Sequence, residues 1–412
     1  MEKGVLRFKK IFPWFSGFTG DLLFYIAIDT LFLSLVKSFS AAEIVSLTAL
    51  SQLACILLQF PLLWVMKKIG NTASLRSGAA CLLISALLIT LGKSYALVLL
   101  GRIFHDVAFV LKNAATVALE NNLDMIGDRG DFIRVRTSAN TVYSVITMLI
   151  SFVASYMFTL NSYLPMIGCI TTCTAGLLLS FFMRDYSDYD RIAYDKVPQS
   201  RTRIKFSTAF VITLLSYALF YTLVTNGQGE GKLFIQQQIL LDFDEDDTAL
   251  ILGAIVCASR IIRVISNMIF ARLYEKYQAK MGVALPTLLF LAMAFMLFGS
   301  FIGQIAVKIA VMATGYAIIL FARDPFKLYI HDFVLARTPK EQHQTLLTVL
   351  EFGVKIATSG IGLCFSAILT GYPMIVVISL MLAISVIEIL LSLKLYSEIT
   401  RGERGCGDRK RA

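Results

Sequence analysis

Cationic side chains alternate along this chain with long apolar segments, and they do so with a consistent sidedness. Of the 38 Lys and Arg residues, 27 fall at one set of ends of the apolar segments, four fall at the other, and seven fall inside them. Lys and Arg concentrate on the cytoplasmic side of membrane proteins. The distribution therefore predicts a multi-pass membrane protein with both termini in the cytoplasm, so we expect a lipid bilayer and not a nucleic acid to explain the basic composition.

The apolar segments are long enough to cross a bilayer, which takes about 20 residues of helix. Hydrophobic residues make up 57% of the chain, above the roughly 45–50% of soluble domains. We therefore expect an all-α integral membrane protein with twelve transmembrane helices, at residues 12–36, 42–66, 73–93, 96–121, 138–160, 163–183, 206–229, 247–271, 283–302, 305–334, 343–369 and 373–396.

One polar stretch near mid-chain separates the twelve predicted helices into two sets of six. Short matches recur between the sets, such as Leu23-Phe24-Tyr25 with Leu219-Phe220-Tyr221. Two parallel six-helix halves are a known plan of membrane transporters. We expect a pseudo-symmetric pair of bundles, divided into an N-terminal bundle at 1–183, a cytoplasmic linker at 184–205, a C-terminal bundle at 206–396 and a basic cytoplasmic tail at 397–412.

Local motifs add to this pattern. The loop after helix 2 contains Lys67-Lys68-Ile69-Gly70, and the corresponding loop of the second half contains Arg272-Leu273-Tyr274-Glu275. Helix 4 carries Gly101-Arg102, followed by His105-Asp106. With the twelve helices and the repeat, these features resemble the major facilitator superfamily over essentially the whole chain. They depart from its G-x-x-x-D-R-x-G-R-R loop and its R-x-x-Q-G helix 4 motif, since the first Gly and Asp are absent and His-Asp replaces Gln-Gly.

The resemblance implies a secondary active transporter that works by alternating access and is not an enzyme. It implies a small-molecule solute as partner, a monomer, a plasma membrane of bacterial type, and an ion gradient, preferably of protons, in place of a cofactor. It assigns gating roles to the loop residues Lys67, Lys68, Gly70, Arg272 and Glu275. No Walker motif, catalytic triad or metal-ligand cluster is evident in the sequence.

Acidic residues at bilayer depth are the candidates for proton coupling. Asp21 and Asp29 lie eight residues apart on the first predicted helix, about 80° apart around a helix of 3.6 residues per turn. Arg102, His105 and Asp106 follow on helix 4, and histidine titrates near pH 6.5. The three acids and His105 could exchange a proton as their neighbours change, with Arg102 as a charged neighbour. A static ion pair and Na⁺ coupling are the alternatives.

Cations at bilayer depth are the candidates for solute binding, because a charge there costs about 3 kcal/mol or more. Arg260 and Arg263 lie on one helical face and repel each other unless an acid or anion lies between them. Arginine binds carboxylate or phosphate through two parallel hydrogen bonds. The sequence therefore favours an anionic or zwitterionic solute, with Glu351 as an alternative partner. The seven cations are Arg102, Lys112, Arg260, Arg263, Arg323, Lys327 and Lys355.

Further solute contacts are expected from residues close to these cations. Lys112 and Asn113 match Arg323 and Asp324 in the repeat, and aromatic residues of the two halves match as well. Glu351 and Lys355 have the spacing of an intrahelical pair. Three glycines after Asn226 are expected to interrupt the seventh helix, either as an outer gate that includes Glu230 or as a plain helix end. The added candidates are Asn113, Arg323, Glu351, Lys355, Asn226, Tyr25 and Tyr221.

Two other functions remain open from the sequence. The paired acids of the first helix are similar to those of some multidrug/proton antiporters, which would export lipophilic compounds. A non-transporting receptor or a lipid-handling scaffold with the same architecture would instead have fully paired charges and no pH-dependent change of state.

Overall fold

Helices account for all regular structure in the described ranges of the computed structural model, residues 2–128, 131–187, 208–337 and 343–409. The first half contains α1 (Glu2–Thr19), α2 (Tyr25–Leu31), α3 (Ala41–Leu91), α4 (Tyr95–Lys112), α5 (Ala114–Met125), α6 (Asp131–Leu160) and α7 (Leu164–Phe181). The second contains α8 (Thr208–Ile239), α9 (Glu245–Tyr277), α10 (Met281–Gly299), α11 (Ile305–Arg337), α12 (His343–Leu369) and α13 (Met374–Arg409). A π-helical segment (Phe32–Val36) follows α2, and a 3-10 turn (Gln278–Lys280) follows α9.

Within those ranges, nine helices are long and apolar enough to cross a membrane. The chain is therefore an all-helical, multi-pass membrane protein, as its composition predicted. The count of twelve spans and the cytoplasmic location of both termini stay predictions. Most of the predicted linker and the last residues of the basic tail lie outside the described residues.

The first predicted helix, 12–36, is wrong as a continuous element, because the backbone leaves helical geometry between Thr19 and Tyr25. The Asp21 carboxylate accepts a hydrogen bond from the Leu22 amide at 2.8 Å. An aspartate that bonds to its neighbouring backbone competes with the helical hydrogen bonds. The Lys112 ammonium donates to the carbonyl of Thr19, which lies at the end of α1. The break therefore places a carboxylate and an ammonium beside unpaired helix ends.

One further predicted boundary differs from the structure, since the helix predicted at 96–121 is divided at Asn113 into α4 and α5. The predicted helices at 42–66 and 73–93 are confirmed as the two helical segments of α3. They meet at a kink at Gly70, where φ is +83° and ψ is +172°. Only glycine adopts this conformation without steric strain. Gly70 therefore turns the chain between two helical segments, as its position in the predicted loop requires.

The predicted interruption after Asn226 is also wrong, because α8 continues through these glycines to Ile239. A Cβ atom at Gly227 would meet Ile319 at 2.8 Å, and one at Gly231 would meet Met296 at 2.6 Å. The glycines therefore permit close packing of α8 against α10 and α11 and do not end the helix. Lys232, predicted in an outer loop, is a buried residue of α8.

The chain forms two compact units. Unit 1 contains residues 1–39, 50–201 and 249–257, and unit 2 contains residues 40–49, 202–248 and 258–412. The domain boundaries given by the sequence stay predictions. Segment 40–49, from the first half of the sequence, groups with unit 2, and segment 249–257, from the second half, groups with unit 1.

Asp185 ties three elements of unit 1 together. It is 2% exposed, and its carboxylate accepts hydrogen bonds from Asn71 at 2.8 Å and Asn121 at 2.9 Å. Its amide donates to the Thr72 hydroxyl at 3.0 Å. These contacts fix the bend of α3 to α5 and to the residues after α7. The loop at Gly70 lacks the acidic residue of the usual motif. Asp185, from the segment after α7, hydrogen-bonds to this loop instead.

Close helix packing generates a first prediction. A Cβ atom at Gly315 on α11 would lie 2.6 Å from the Ala292 carbonyl oxygen on α10, whereas Gly229 on α8 has open space around this position. Backbone cannot move aside as a side chain can. We expect Gly315→Ala to lower the unfolding free energy by about 1–3 kcal/mol, the usual cost of overpacking, and to lower Tm in detergent.

Gly229→Ala is the matched control, since it makes the same change on another helix. We expect its Tm to stay the same or to rise, because alanine favours helix over glycine. Equal effects of the two substitutions would show that α10 and α11 are less closely packed at this point.

The N-terminal helix generates a second prediction. Lys9 donates to Asp128 at 2.8 Å and also to Asp131. Both carboxylates raise the pKa of Lys9 above 10.5, and the Lys9 ammonium lowers the pKa of Asp131 below 3.8. The ammonium contributes stability that is lost as pH rises through its raised pKa. The Asp131 carboxylate contributes stability that is lost as pH falls through its lowered pKa.

Lys9→Met is therefore expected to lower Tm slightly at pH 7, with a difference from wild type that shrinks below roughly pH 4. Thermal unfolding in detergent across the pH range measures this difference. Lys10→Met is the control, since Lys10 is exposed on the next position of the same helix. A pH-independent difference, or an equal one for Lys10→Met, would argue against the ion pair.

Candidate functional site

His105 joins two carboxylates inside unit 1. Its Nε2 atom lies 2.8 Å from Asp21 Oδ1, at the break after α1, and its Nδ1 atom lies 3.3 Å from Asp106 Oδ1. The imidazole is 8% exposed. We name Asp21, His105 and Asp106 the acid–histidine cluster. The sequence predicted all three for proton coupling, and the structure brings them into direct contact.

Arg102 lies one turn before His105 on α4, within electrostatic range of Asp21, Asp29 and Asp106. Asp29 itself accepts a hydrogen bond from the Thr30 amide at 2.6 Å. Among the described residues, Asp106 Oδ2 is buried and has no hydrogen-bond partner. Three carboxylates therefore share one guanidinium and one imidazole, and the imidazole can hold a proton between two acceptors or release it.

Three other predicted solute contacts of unit 1 have local partners or exposed positions. Lys112 donates to the Thr19 carbonyl and lies 4.1 Å from the centre of the Phe109 ring. Tyr25 is buried, and its amide donates to Cys169 Sγ at 3.2 Å. Asn113 is exposed at the junction of α4 and α5. Their role toward a solute stays a prediction.

Unit 2 collects three guanidinium groups, two of which contact one carboxylate. Arg263 on α9 donates to both oxygens of Asp324 on α11, from Nε at 2.6 Å and from Nη2 at 3.1 Å. Arg323 Nε lies 4.0 Å from Asp324 Oδ1. Arg260 Nε is buried and has no hydrogen-bond partner in the described ranges. We name Arg260, Arg263, Arg323 and Asp324 the arginine cluster.

Helix α8 supplies polar groups to this cluster. Gln228 Oε1 accepts a hydrogen bond from Arg323 Nη1 at 3.1 Å, and the Tyr221 hydroxyl donates to the Arg323 carbonyl at 2.7 Å. The side-chain amide nitrogens of Gln228 and Asn226 are buried without partners among the residues described. The arginine cluster therefore has two more positive than negative charges, with polar donors nearby, which is the composition of an anion site.

Glu351 does not pair with Arg260 or Arg263, nor with Lys355 one turn along α12. Its Oε1 atom lies 2.6 Å from Lys327 Nζ and accepts a hydrogen bond from the Tyr217 hydroxyl at 3.1 Å. His331 Nε2 lies 3.7 Å away. Asp324, Lys327 and His331 have the spacing of one face of α11. This face therefore contacts both Arg263, through Asp324, and Glu351, through Lys327.

Sequence analysis missed His331 and the partner of Tyr217. The i, i+3, i+7 spacing of Asp324, Lys327 and His331 was the signal that could have found them. Asn267, which donates to Asp324 Oδ2 at 3.1 Å, gave no signal of this kind.

The predicted gating residues belong to neither the acid–histidine cluster nor the arginine cluster. Lys67, Lys68, Arg272 and Glu275 are exposed, with Lys68 Nζ 4.2 Å from the centre of the Trp64 ring. Glu230 is a buried residue of α8, with an unpartnered Oε2 atom in the described part of the chain. Their gating role stays a prediction.

The arginine cluster generates a third prediction. Asp324→Asn keeps the shape of the side chain but leaves Arg263 without its carboxylate. The pair is partly buried, with about a quarter of each side chain exposed, so its loss costs less than the roughly 3–5 kcal/mol of a fully buried pair. We still expect a lower Tm in buffer free of multivalent anions. Sulfate should raise the Tm of this variant more than that of wild type, because it can replace the missing charge. Thermal unfolding with and without sulfate measures this.

Asp332→Asn is the matched control, since Asp332 is an exposed residue of α11 whose carboxylate accepts from Tyr274 at 2.5 Å. We expect a small loss of Tm with no added response to sulfate. A sulfate response equal in both variants would assign the effect to general ionic strength.

Comparison with known proteins gives fold similarity without sequence similarity. No protein-family model matches the chain, and no curated protein matches its sequence. A mutant form of the nucleoside transporter NupG has a TM-score of 0.77 at 11% identity, covering 95% of this chain and 99% of that chain. A bacterial homologue of the iron transporter ferroportin, inward-facing, has a TM-score of 0.68 at 14% identity, covering 95% and 99%.

A peptide transporter of the POT type has a TM-score of 0.68 at 12% identity, covering 97% of this chain and 94% of that chain. These matches run over nearly the full length of both partners. The expectation from the helix pattern and loop motifs is thereby confirmed at the level of architecture. This chain has the fold of the major facilitator transporters.

Proposed function

We propose that this protein is a secondary active transporter that moves a small anionic or zwitterionic solute by alternating access, driven by a proton gradient. It acts as a monomer in a plasma membrane, of the bacterial inner-membrane type. The observation that carries the proposal is the excess of guanidinium groups over carboxylates in the arginine cluster.

Transport is supported by the proteins that have a similar fold. The similar structures are a nucleoside transporter, an iron transporter homologue and a peptide transporter. Their solutes differ widely, so the fold does not choose among them. The choice rests on the charges of this chain.

An anionic solute is supported by the electrostatics of unit 2. Asp324 neutralises one of three guanidiniums, and Arg263 takes both of its oxygens. Arg260 and Arg323 then repel each other across a medium of low dielectric. A carboxylate or phosphate group would compensate this repulsion and accept a hydrogen bond from Arg260 Nε, and the amide of Gln228 beside Arg323 could bind an uncharged part of the solute.

Proton coupling is supported by the acid–histidine cluster of unit 1. When His105 is protonated, both of its ring nitrogens carry hydrogen, so Nε2 donates to Asp21 and Nδ1 donates to Asp106. Loss of either contact in a second conformation would reduce the hold on this proton.

Proton release from purified protein in weakly buffered detergent is the test of this function. The probes are sulfate, phosphate, short dicarboxylates, a dipeptide and the lipophilic cation ethidium. We expect an anionic or zwitterionic probe to change the pH, and the double variant Arg260→Gln, Arg263→Gln to lose at least tenfold in probe affinity, or about 1.4 kcal/mol. Arg136→Gln, an exposed arginine of α6, is the charge-matched control.

His105→Gln separates binding from coupling. We expect this variant to retain the Tm increase caused by the active probe but to lose the pH change. A signal from ethidium alone would favour the multidrug antiporter, and a chain that responds to no probe in either assay would favour a receptor or scaffold. Replacing Na⁺ by choline in the same assay separates proton from sodium coupling.

A further inference from the structure

Glu388 is a buried acid of unit 2 that has no part in the arginine cluster. It lies on α13 and is 0% exposed. Its Oε1 atom accepts hydrogen bonds from the hydroxyls of Ser216 on α8, at 2.7 Å, and Ser392 on α13, at 3.1 Å. Its Oε2 atom is buried with no partner in the part of the chain that the structure describes.

Among the side chains that the structure describes, the elements around Glu388 offer no counter-ion. Helix α10, which packs against α13, contains no ionisable residue at all. Along the part of α8 near Ser216, the only ionisable side chains are the phenols of Tyr217 and Tyr221. The remaining charged residues of the packed elements that have described side chains are Glu230 and Lys232 on α8, Glu351 and Lys355 on α12, Lys280 in the 3-10 turn and Lys394 on α13.

None of these cations forms an ion pair with Glu388, and Lys280 and Lys394 are exposed. An isolated carboxylate in a low-dielectric interior costs far more than a neutral acid, so such a group takes up a proton instead. Two hydroxyl donors to one oxygen satisfy the carbonyl of a carboxylic acid, whereas a carboxylate would need more donors.

We propose that Glu388 carries a proton in this conformation and is a second proton-binding site of the chain, separate from the acid–histidine cluster. The proposal that this proton is exchanged during transport rests on the proposed function. In that step the O–H bond of the acid breaks, the proton passes to water, and the carboxylate later regains a proton from water on the other side of the membrane.

Helix α8 provides the physical connection to the solute. Ser216, which holds Glu388, is adjacent to Tyr217, whose hydroxyl donates to Glu351. One turn further, Tyr221 donates to the carbonyl of Arg323. A shift of α8 that follows binding at the arginine cluster would move the Ser216 hydroxyl at the same time. Entry of water at this point would then allow Glu388 to ionise.

Infrared spectroscopy of the purified full-length chain tests the first half of the proposal directly. At pH 7, we expect a carbonyl band of protonated carboxylic acid whose intensity falls in Glu388→Gln and is unchanged in the matched control Glu245→Gln, an exposed acid of α9. Glu230, the other buried acid with an unpartnered oxygen in the described ranges, accounts for any band that remains. Ser216→Ala should shift the Glu388 band to higher frequency, because the carbonyl loses a hydrogen-bond donor. A spectrum in which neither Glu388→Gln nor Ser216→Ala alters such a band overturns the proposal, even if one variant fails to fold.

The second half is tested by adding the anionic probe that changes the pH with wild type. We expect Glu388→Gln to reduce the proton signal without abolishing it, and the double variant His105→Gln, Glu388→Gln to abolish it. A carbonyl band that the probe does not change, with a full proton signal from Glu388→Gln, overturns exchange at this site. Should no probe give a proton signal with wild type, the proposed function fails, while the infrared result still decides the protonation of Glu388.

Discussion

The cost of a charge in a medium of low dielectric governs how the polar residues of this protein are arranged. Each guanidinium or carboxylate removed from water needs a partner, a proton or a ligand. Arg263 and Asp324 form a two-pronged pair, and Lys327 pairs with Glu351. These pairs leave a remainder of positive charge in unit 2, and that remainder is the physical basis for expecting an anion there.

The two units satisfy this constraint by different means. Around His105 in unit 1, three acids share Arg102 and the imidazole. The arginine cluster of unit 2 has an excess of guanidinium groups beside Gln228, whose amide nitrogen has no partner among the described residues. Under the proposed function, a proton would compensate the first imbalance and an anion the second. Such a division would suit a coupled transporter, since each ligand would change the charge balance of its own unit.

Much of the architecture could be predicted from the sequence, because hydrophobic length and charge sidedness are properties of short segments. The Asp21–His105–Asp106 grouping was also within reach, since two of its members are adjacent on one helix. The break at Asp21 was not, because it depends on a side chain that bonds to backbone. The break at Asn113 has no such hydrogen bond, and no sequence pattern signalled it. The continuity of α8 through its glycines depends on close neighbours in α10 and α11, which no local pattern reveals. The partner of Glu351 could not be predicted either. The sequence offered Arg260, Arg263 and Lys355, whereas the partner is Lys327, which depends on the face of α11 that lies toward α12.

Asp185 has a consequence for how unit 1 can move. Its hydrogen bonds link Asn71 at the bend of α3, Asn121 on α5 and its own position after α7. Parts joined by one buried carboxylate cannot slide past each other without breaking several bonds together. These helix ends are therefore expected to move together as one rigid part. The irregular stretch between α1 and α2 lies outside this linkage and carries Asp21. Bending of the chain there would change the distance between Asp21 and His105 directly.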